Sequence, residues 1–269
     1  MEFTQEVRKA TDPIYQKISK IMPEIEWSVH APYIHRINQL KKKKNAIILA
    51  HNYQTPEIYH GISDVAADSL ALAIEASKTN ADIIVMAGVH FMAETSKLMS
   101  PEKKVLLPDM GAGCSLSSSV TGKDVRLLKE KYPGVPVVSY VNTSADVKAE
   151  TDICCTSANA VKIVESLGVK KVIFLPDDYL GKYVASQTNV EIIAWKGICM
   201  VHDQFNEKEI HDIRKNNPGI KIIAHPECPP EVIKASDFAG STGGMIDYVK
   251  NNQPKKVMMV TECSMSDNI

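Results

Sequence analysis

Long apolar runs are missing from this chain: no stretch approaches the roughly 20 residues a helix needs to cross a bilayer. The first residues, MEFTQEVRKATD, lack the apolar core of a secretory signal, so a cytoplasmic protein is expected. Charge of one sign is missing too. The formal net charge is −1, which gives no electrostatic reason to expect nucleic acid or a membrane surface as partner. The single basic run, Lys41–Lys44, reads as a solvated helix end. No CxxC or HExxH pair occurs, which weakens a zinc-hydrolase reading. Six cysteines in a reducing compartment do not make a disulfide framework, so those that matter are ligands, nucleophiles or small buried residues. Low-complexity and Gly/Ser linker segments are absent, and the chain reads as one packed body of ordinary composition, 44% apolar and 23% charged.

What is present is a repeated unit. The run AIILAHNY (46–53) is short enough for a buried parallel strand and stops abruptly on polar groups, where open α/β sheets bind ligands. VVSYVN (137–142) and IIAHPE (222–227) repeat the pattern. His51, Tyr140 and His225 then share one position, and Tyr53, Asn142 and Glu227 another. After each strand a small polar residue opens an apolar-periodic helix: Ser69, Ser157, and Ser241 with Thr242. These read as N-caps, and their free N–H groups suit an anionic, phosphorylated substrate. A further strand follows in each copy, and copies one and two add one more, ending on Cys114 and Cys199.

Cys114 follows His51 by 63 residues and Cys199 follows Tyr140 by 59, so a third cysteine is expected about 59 to 63 residues past His225, beyond Ile269. The spacing predicts a helical leader at 1–43, broken at Pro23 with a second helix around Tyr33–Lys43, and three αβα modules at 44–131, 132–213 and 214–269, the last incomplete. A pseudo-threefold axis around a central cavity would bring their polar strand ends together.

Cys114 and Cys199 read either as two metal ligands or as buried small residues in turns, with a helix start after each to favour the thiolate. Cys154 and Cys155 alternate along a strand and read as packing, while Cys228 and Cys263 lie off the repeat position. His51, Tyr53, Tyr140, His225 and Glu227 are residue types that exchange protons. Lesser candidates are His90, Glu94 and Lys97 in GVHFMAETSK and Asp177 and Asp178 in LPDDYLG.

The segments AHNYQTPEI, GVHFMAETSK, PDMGAGCSL, VSYVNTSADVKAE, CCTSANA, LPDDYLGKYVA, WKGICMVH, HPEC, GSTGGM and VTECSMSDN together resemble the quinolinate synthase family of NAD biosynthesis, from residue 33 to 269. The resemblance implies three αβα domains about a pseudo-threefold axis and one 4Fe-4S cluster held by three cysteines, its fourth iron open to substrate. It implies condensation of iminoaspartate, supplied by L-aspartate oxidase, with dihydroxyacetone phosphate to give quinolinate, phosphate and water. Cys114 and Cys199 match two cluster ligands, and the third lies past Ile269. His51, Tyr53 and Glu227 match catalytic residues. His51, Ser69, Tyr140, Asn142, Ser157, His225, Glu227, Ser241 and Thr242 match substrate contacts. The alternative is a cluster-free homologue that binds small anions without turnover.

Overall fold

The computed structural model describes residues 1–269 and holds three small parallel sheets with helices between the strands. Strands β1 (Ala46–His51), β2 (Val65–Ala67), β3 (Ile83–Ala87) and β4 (Lys104–Leu106) are ordered β2-β1-β3-β4. Strands β5 (Val137–Tyr140), β6 (Ile153–Cys155), β7 (Lys171–Leu175) and β8 (Glu191–Ala194) repeat that order as β6-β5-β7-β8. The last sheet, β9 (Lys221–Ala224), β10 (Phe238–Ala239) and β11 (Val257–Val260), is ordered β10-β9-β11. The central strand of each sheet is the near-continuous apolar run that burial on both faces demands.

An aspartate sets the register in every copy. The Asp64 carboxylate accepts from the Ile48 amide at 2.9 Å, Asp152 from Val137 at 2.8 Å and Asp237 from Ile222 at 2.9 Å. Each aspartate also donates its own amide to the carbonyl of the same residue, at 2.9, 3.1 and 2.7 Å. Three residues on from Ile48, Val137 and Ile222 stand His51, Tyr140 and His225, and five residues on stand Tyr53, Asn142 and Glu227. The equivalence expected from the strand patterns is therefore the equivalence of the hydrogen bonds. Of the Lys41–Lys44 run, Lys41 is not solvated as expected: it pairs with Asp64 at 2.8 Å and donates to the Ile62 carbonyl. Position 41 faces the aspartate clamp, and the other three lysines face water.

The chain forms two compact units, Met1–Met110 with Cys263–Ile269, and Gly111–Glu262. In the first, helices Gln5–Ile18 and Glu24–Lys43 pack through Ile18, Trp27 and Ile34, with Tyr15 stacked on Trp27 at 5.4 Å. The second helix starts nine residues earlier than expected and runs through Pro32. Burial of Trp27, Ala31 and Ile34 offsets the roughly 3 kcal/mol an interior proline costs. The closing helix Ser264–Asn268 ties back through Asn268, whose amide donates to the Asn52 and Gln54 carbonyls.

In the second unit, Val138, Val164, Phe174 and Leu180 form one core and Ile210, Ile222, Val232 and Val260 another. The strands expected to end on the cysteines stop short: β4 ends at Leu106 and β8 at Ala194, eight and five residues before Cys114 and Cys199. Pro108 and two glycines break the first. In the second, pairing resumes only as a single parallel bridge between Asp177 and Gly197, where a β-carbon would meet the Pro176 carbonyl and the Ser119 hydroxyl at 2.5 Å.

Candidate functional site

The two cysteines head the same turn. Ser118 donates its amide to the Cys114 carbonyl at 3.0 Å, and Asp203 to that of Cys199 at 2.9 Å. A single 3₁₀ turn follows at Ser117–Ser119 and at His202–Gln204, and the capping residues Thr121 and Asn206 each come seven residues after the cysteine. Both cysteines pack against the apolar cluster of Leu116 and Tyr140. Their thiols do not have the lowered pKa expected of a helix start. Burial pushes Cys114 up, partly offset by the Ser117 amide, and the Glu227 charge adds to it. Burial and then the Glu227 charge push Cys199 up as well. Turns this short offer too few free N–H groups to outweigh desolvation beside a carboxylate.

Glu227 is the centre of the arrangement in the second unit. It is 3% exposed, and the Tyr140 hydroxyl donates to its Oε1 at 2.7 Å. His202 Nδ1 lies 3.2 Å from its Oε2 and 3.1 Å from Cys199 Sγ, while His202 Nε2 reaches the Thr261 hydroxyl at 2.9 Å. His225 Nδ1 accepts from the Glu227 amide at 3.4 Å, and its Nε2 meets the Ser157 hydroxyl at 3.3 Å. The two imidazoles stack, 4.8 Å apart at 22°. Burial alone would raise the Glu227 carboxyl, but His225 and the His202 and Tyr140 hydrogen bonds outweigh it and hold it below the usual carboxylate range. An isolated buried carboxylate would cost several kcal/mol, so the charge stays on Glu227 only because these partners are there.

Asp177 is the second buried carboxyl. Its Oδ1 accepts from the Leu180 amide and caps helix Asp178–Ala185, and its Oδ2 is buried with no hydrogen-bond partner. Burial, then the Glu227 charge, push it up to about 8, so of the two carboxyls Glu227 keeps the negative charge and Asp177 the proton. Asn142 likewise carries a buried amide oxygen without a partner. Asp178, itself buried, instead pairs with the more exposed Lys182 and Lys196 at 2.6 and 2.7 Å.

In the first unit, His51 ends β1, and its Nδ1 accepts from the Tyr53 amide at 3.3 Å, the local geometry that His225 and Glu227 repeat. The His51 and Tyr53 rings meet edge-on at 4.6 Å. Of the four expected capping residues, only Ser241 caps, accepting from Gly244 at 3.1 Å, and Thr242 follows it as the first helical residue. Asp68 takes the cap ahead of Ser69, since its carboxylate accepts from Ala71. Helix Ala160–Ser166 begins after Asn159, because Asn159 folds back on the Thr156 amide, and this leaves Ser157 for His225.

His90 and Glu94 lie 3.7 Å apart on helix His90–Met99, and Lys97 donates to the Pro101 and Lys103 carbonyls, closing a surface loop. Cys155 is buried and Cys154 exposed, as strand alternation requires. Cys228 is buried, its thiol raised to about 12 chiefly by desolvation, and Cys263 is exposed at the start of the last helix.

His202 and Thr261 were not visible as site residues in the sequence. The signal that finds His202 is its place three residues after Cys199, where the first copy has Ser117. Ligand atoms of Cys199, His202 and Glu227 all lie within 4.8 Å of one another, a set that can hold a metal ion.

Residues 35–269 match the family model of the quinolinate synthetase A protein. The chain is 59% identical over 269 residues to a quinolinate synthase of Sinorhizobium fredii, covering all of this chain and 75% of the relative. It is 59% identical to one of Caulobacter vibrioides over 99% of this chain and 74% of the relative. A third, from Xylella fastidiosa, is 61% identical over 88% of this chain and 70% of the relative. With matches of this extent and identity, the chain belongs to the quinolinate synthetase A protein family.

Proposed function

We propose that this chain makes quinolinate for NAD biosynthesis, condensing iminoaspartate with dihydroxyacetone phosphate and releasing phosphate and two molecules of water. The carrying observation is Glu227, a buried carboxylate held by Tyr140 and His202 beside a cysteine sulfur. A family relationship over 235 residues, 35–269, supports the same reading.

Cys114 and Cys199 would hold an iron–sulfur cluster. The fit rests on two half-buried thiols in matching turns, the donor type that iron–sulfur clusters take. When bound, such a cluster supplies an open iron that polarises hydroxyl and carboxylate oxygens as a Lewis acid.

The protein's own groups handle the protons. Glu227 is ionised and is the proton acceptor, and the Tyr140 hydrogen bond orients the carboxylate and holds it ionised until the proton arrives. His225 receives hydrogen bonds on Nδ1 from a backbone amide, which directs its Nε2 toward Ser157 and substrate; His51 has the same Nδ1 contact and works with Tyr53 on the other proton steps. Ser69, Ser157, Ser241, Thr242 and Asn142 bind the carboxylates and phosphate. The segments 44–131, 132–213 and 214–269 act as three modules of this machinery, and L-aspartate oxidase supplies iminoaspartate.

Anaerobic reconstitution with iron and sulfide tests the proposal. A brown protein that forms quinolinate from the two substrates is the expected result. A protein that takes up no iron yet binds quinolinate by calorimetry would make it a cluster-free binder.

A further inference from the structure

His202 does work that its turn does not require. Three residues after Cys114 the same turn is made by Ser117, closed by the same backbone bond, so an imidazole is not needed for the local geometry. The His202 ring is nevertheless 2% exposed and anchored at both nitrogens. Nδ1 faces the Glu227 carboxylate Oε2 at 3.2 Å and Cys199 Sγ at 3.1 Å, and Nε2 faces the Thr261 hydroxyl at 2.9 Å. An ionised carboxylate only accepts, so it places a proton on Nδ1; the sulfur accepts that proton as well once it is a ligand thiolate, and the hydroxyl at Nε2 donates or accepts as needed.

We propose that His202 is a positioning residue whose Nδ1–H bridges the sulfur of Cys199 and the carboxylate of Glu227, with Thr261 fixing the ring. The inference rests on the reading that Cys199 ligates a cluster and Glu227 moves protons. One N–H shared between them sets the orientation of both. A hydrogen bond donated to a ligand sulfur stabilises the more electron-rich state and raises the cluster's reduction potential. Asn and Gln separate the two nitrogens: the Asn amide N–H₂ stands where Nδ1 stands, and that of Gln stands where Nε2 stands.

The first test uses the full chain without iron. Long-range ¹H–¹⁵N correlation of the His202 ring, assigned by the shift that Thr261→Val causes at Nε2, is expected to show a proton on Nδ1. A ring with no proton on Nδ1 overturns the proposal, whether or not the chain makes quinolinate.

The second test uses the anaerobically reconstituted enzyme and reads the cluster's potential. His202→Gln is expected to shift it to lower potential and to lose about 10- to 100-fold in kcat/KM, the scale of losing an outer-shell partner. His202→Asn is expected to keep the potential close to that of the unsubstituted protein and to recover much of the loss. Equal potentials in the two variants would make His202 a packing residue and end the proposal. Failure of the unsubstituted protein to take up a cluster would count against the quinolinate reading and leave the result from the imidazole spectra standing.

Discussion

The Tyr140 phenol donates a 2.7 Å hydrogen bond to Glu227 across 87 residues of chain, joining the last residue of β5 to the loop after β9. Two copies of the repeat thus meet at one carboxylate. The strand end that carries a histidine in the other copies carries here the phenol that holds that carboxylate ionised.

Tyr140→Phe removes one donor from a buried charge, a loss of about 1.5–3 kcal/mol. The Glu227 carboxyl, held low by its partners, should then rise. The acid limb of kcat/KM against pH is expected to move to higher pH, with a lower plateau. A limb that stays in place would remove Glu227 from the proton steps.

The two buried carboxyls have opposite effects on stability. Glu227, with its pKa lowered on folding, stabilises above its unfolded value, and that contribution is lost as pH falls through the folded value. Asp177, raised to about 8, does the reverse: folding favours its protonated form, so stability is lost as pH rises from the unfolded carboxyl range toward 8. Asp177→Asn keeps the oxygen that caps the helix at Leu180. Its melting temperature in the cluster-free protein is expected to exceed that of the unsubstituted chain at pH 8 and to match it at pH 4. A gain that is the same at both would refute the assignment of the proton to Asp177.

The register aspartates are separable from the chemistry. Asp152→Ala leaves the Val137 amide without its acceptor and is expected to cost about 1–3 kcal/mol in urea denaturation. Asp237→Ala loses the Arg214 and Lys221 contacts as well and should cost at least as much. Burial alone would raise the Asp237 carboxyl, but the Ile222 amide and these two cations hold it low, so its stabilising contribution is present above the unfolded carboxyl value and falls away below it.

Cys199→Ala removes a thiol without disturbing the turn, which is closed by backbone. Iron and sulfide content after reconstitution is expected to drop to background, as with Cys114→Ala. Cys154→Ala, on an exposed strand position, should leave both unchanged.

Much of this was readable from residue order. Runs such as AIILAH, VVSY and KIIA alternate with helical stretches, and burial on both faces follows from their being apolar throughout, so three parallel sheets were legible. Because a strand advances one residue at a time from a fixed clamp, the shared position of His51, Tyr140 and His225 was legible too, as were two cysteines at a common spacing. Only the folded chain decided which neighbour does each job. Asp68 in place of Ser69 caps a helix, Asp177 turns inward while Asp178 turns to two lysines, and burial beside Glu227 raises the thiols that a helix start alone would lower. His202 belongs to the same class: its partners Glu227 and Thr261 lie 25 and 59 residues away, and periodicity carries information about the next turn of chain, not about what packs against it across the core.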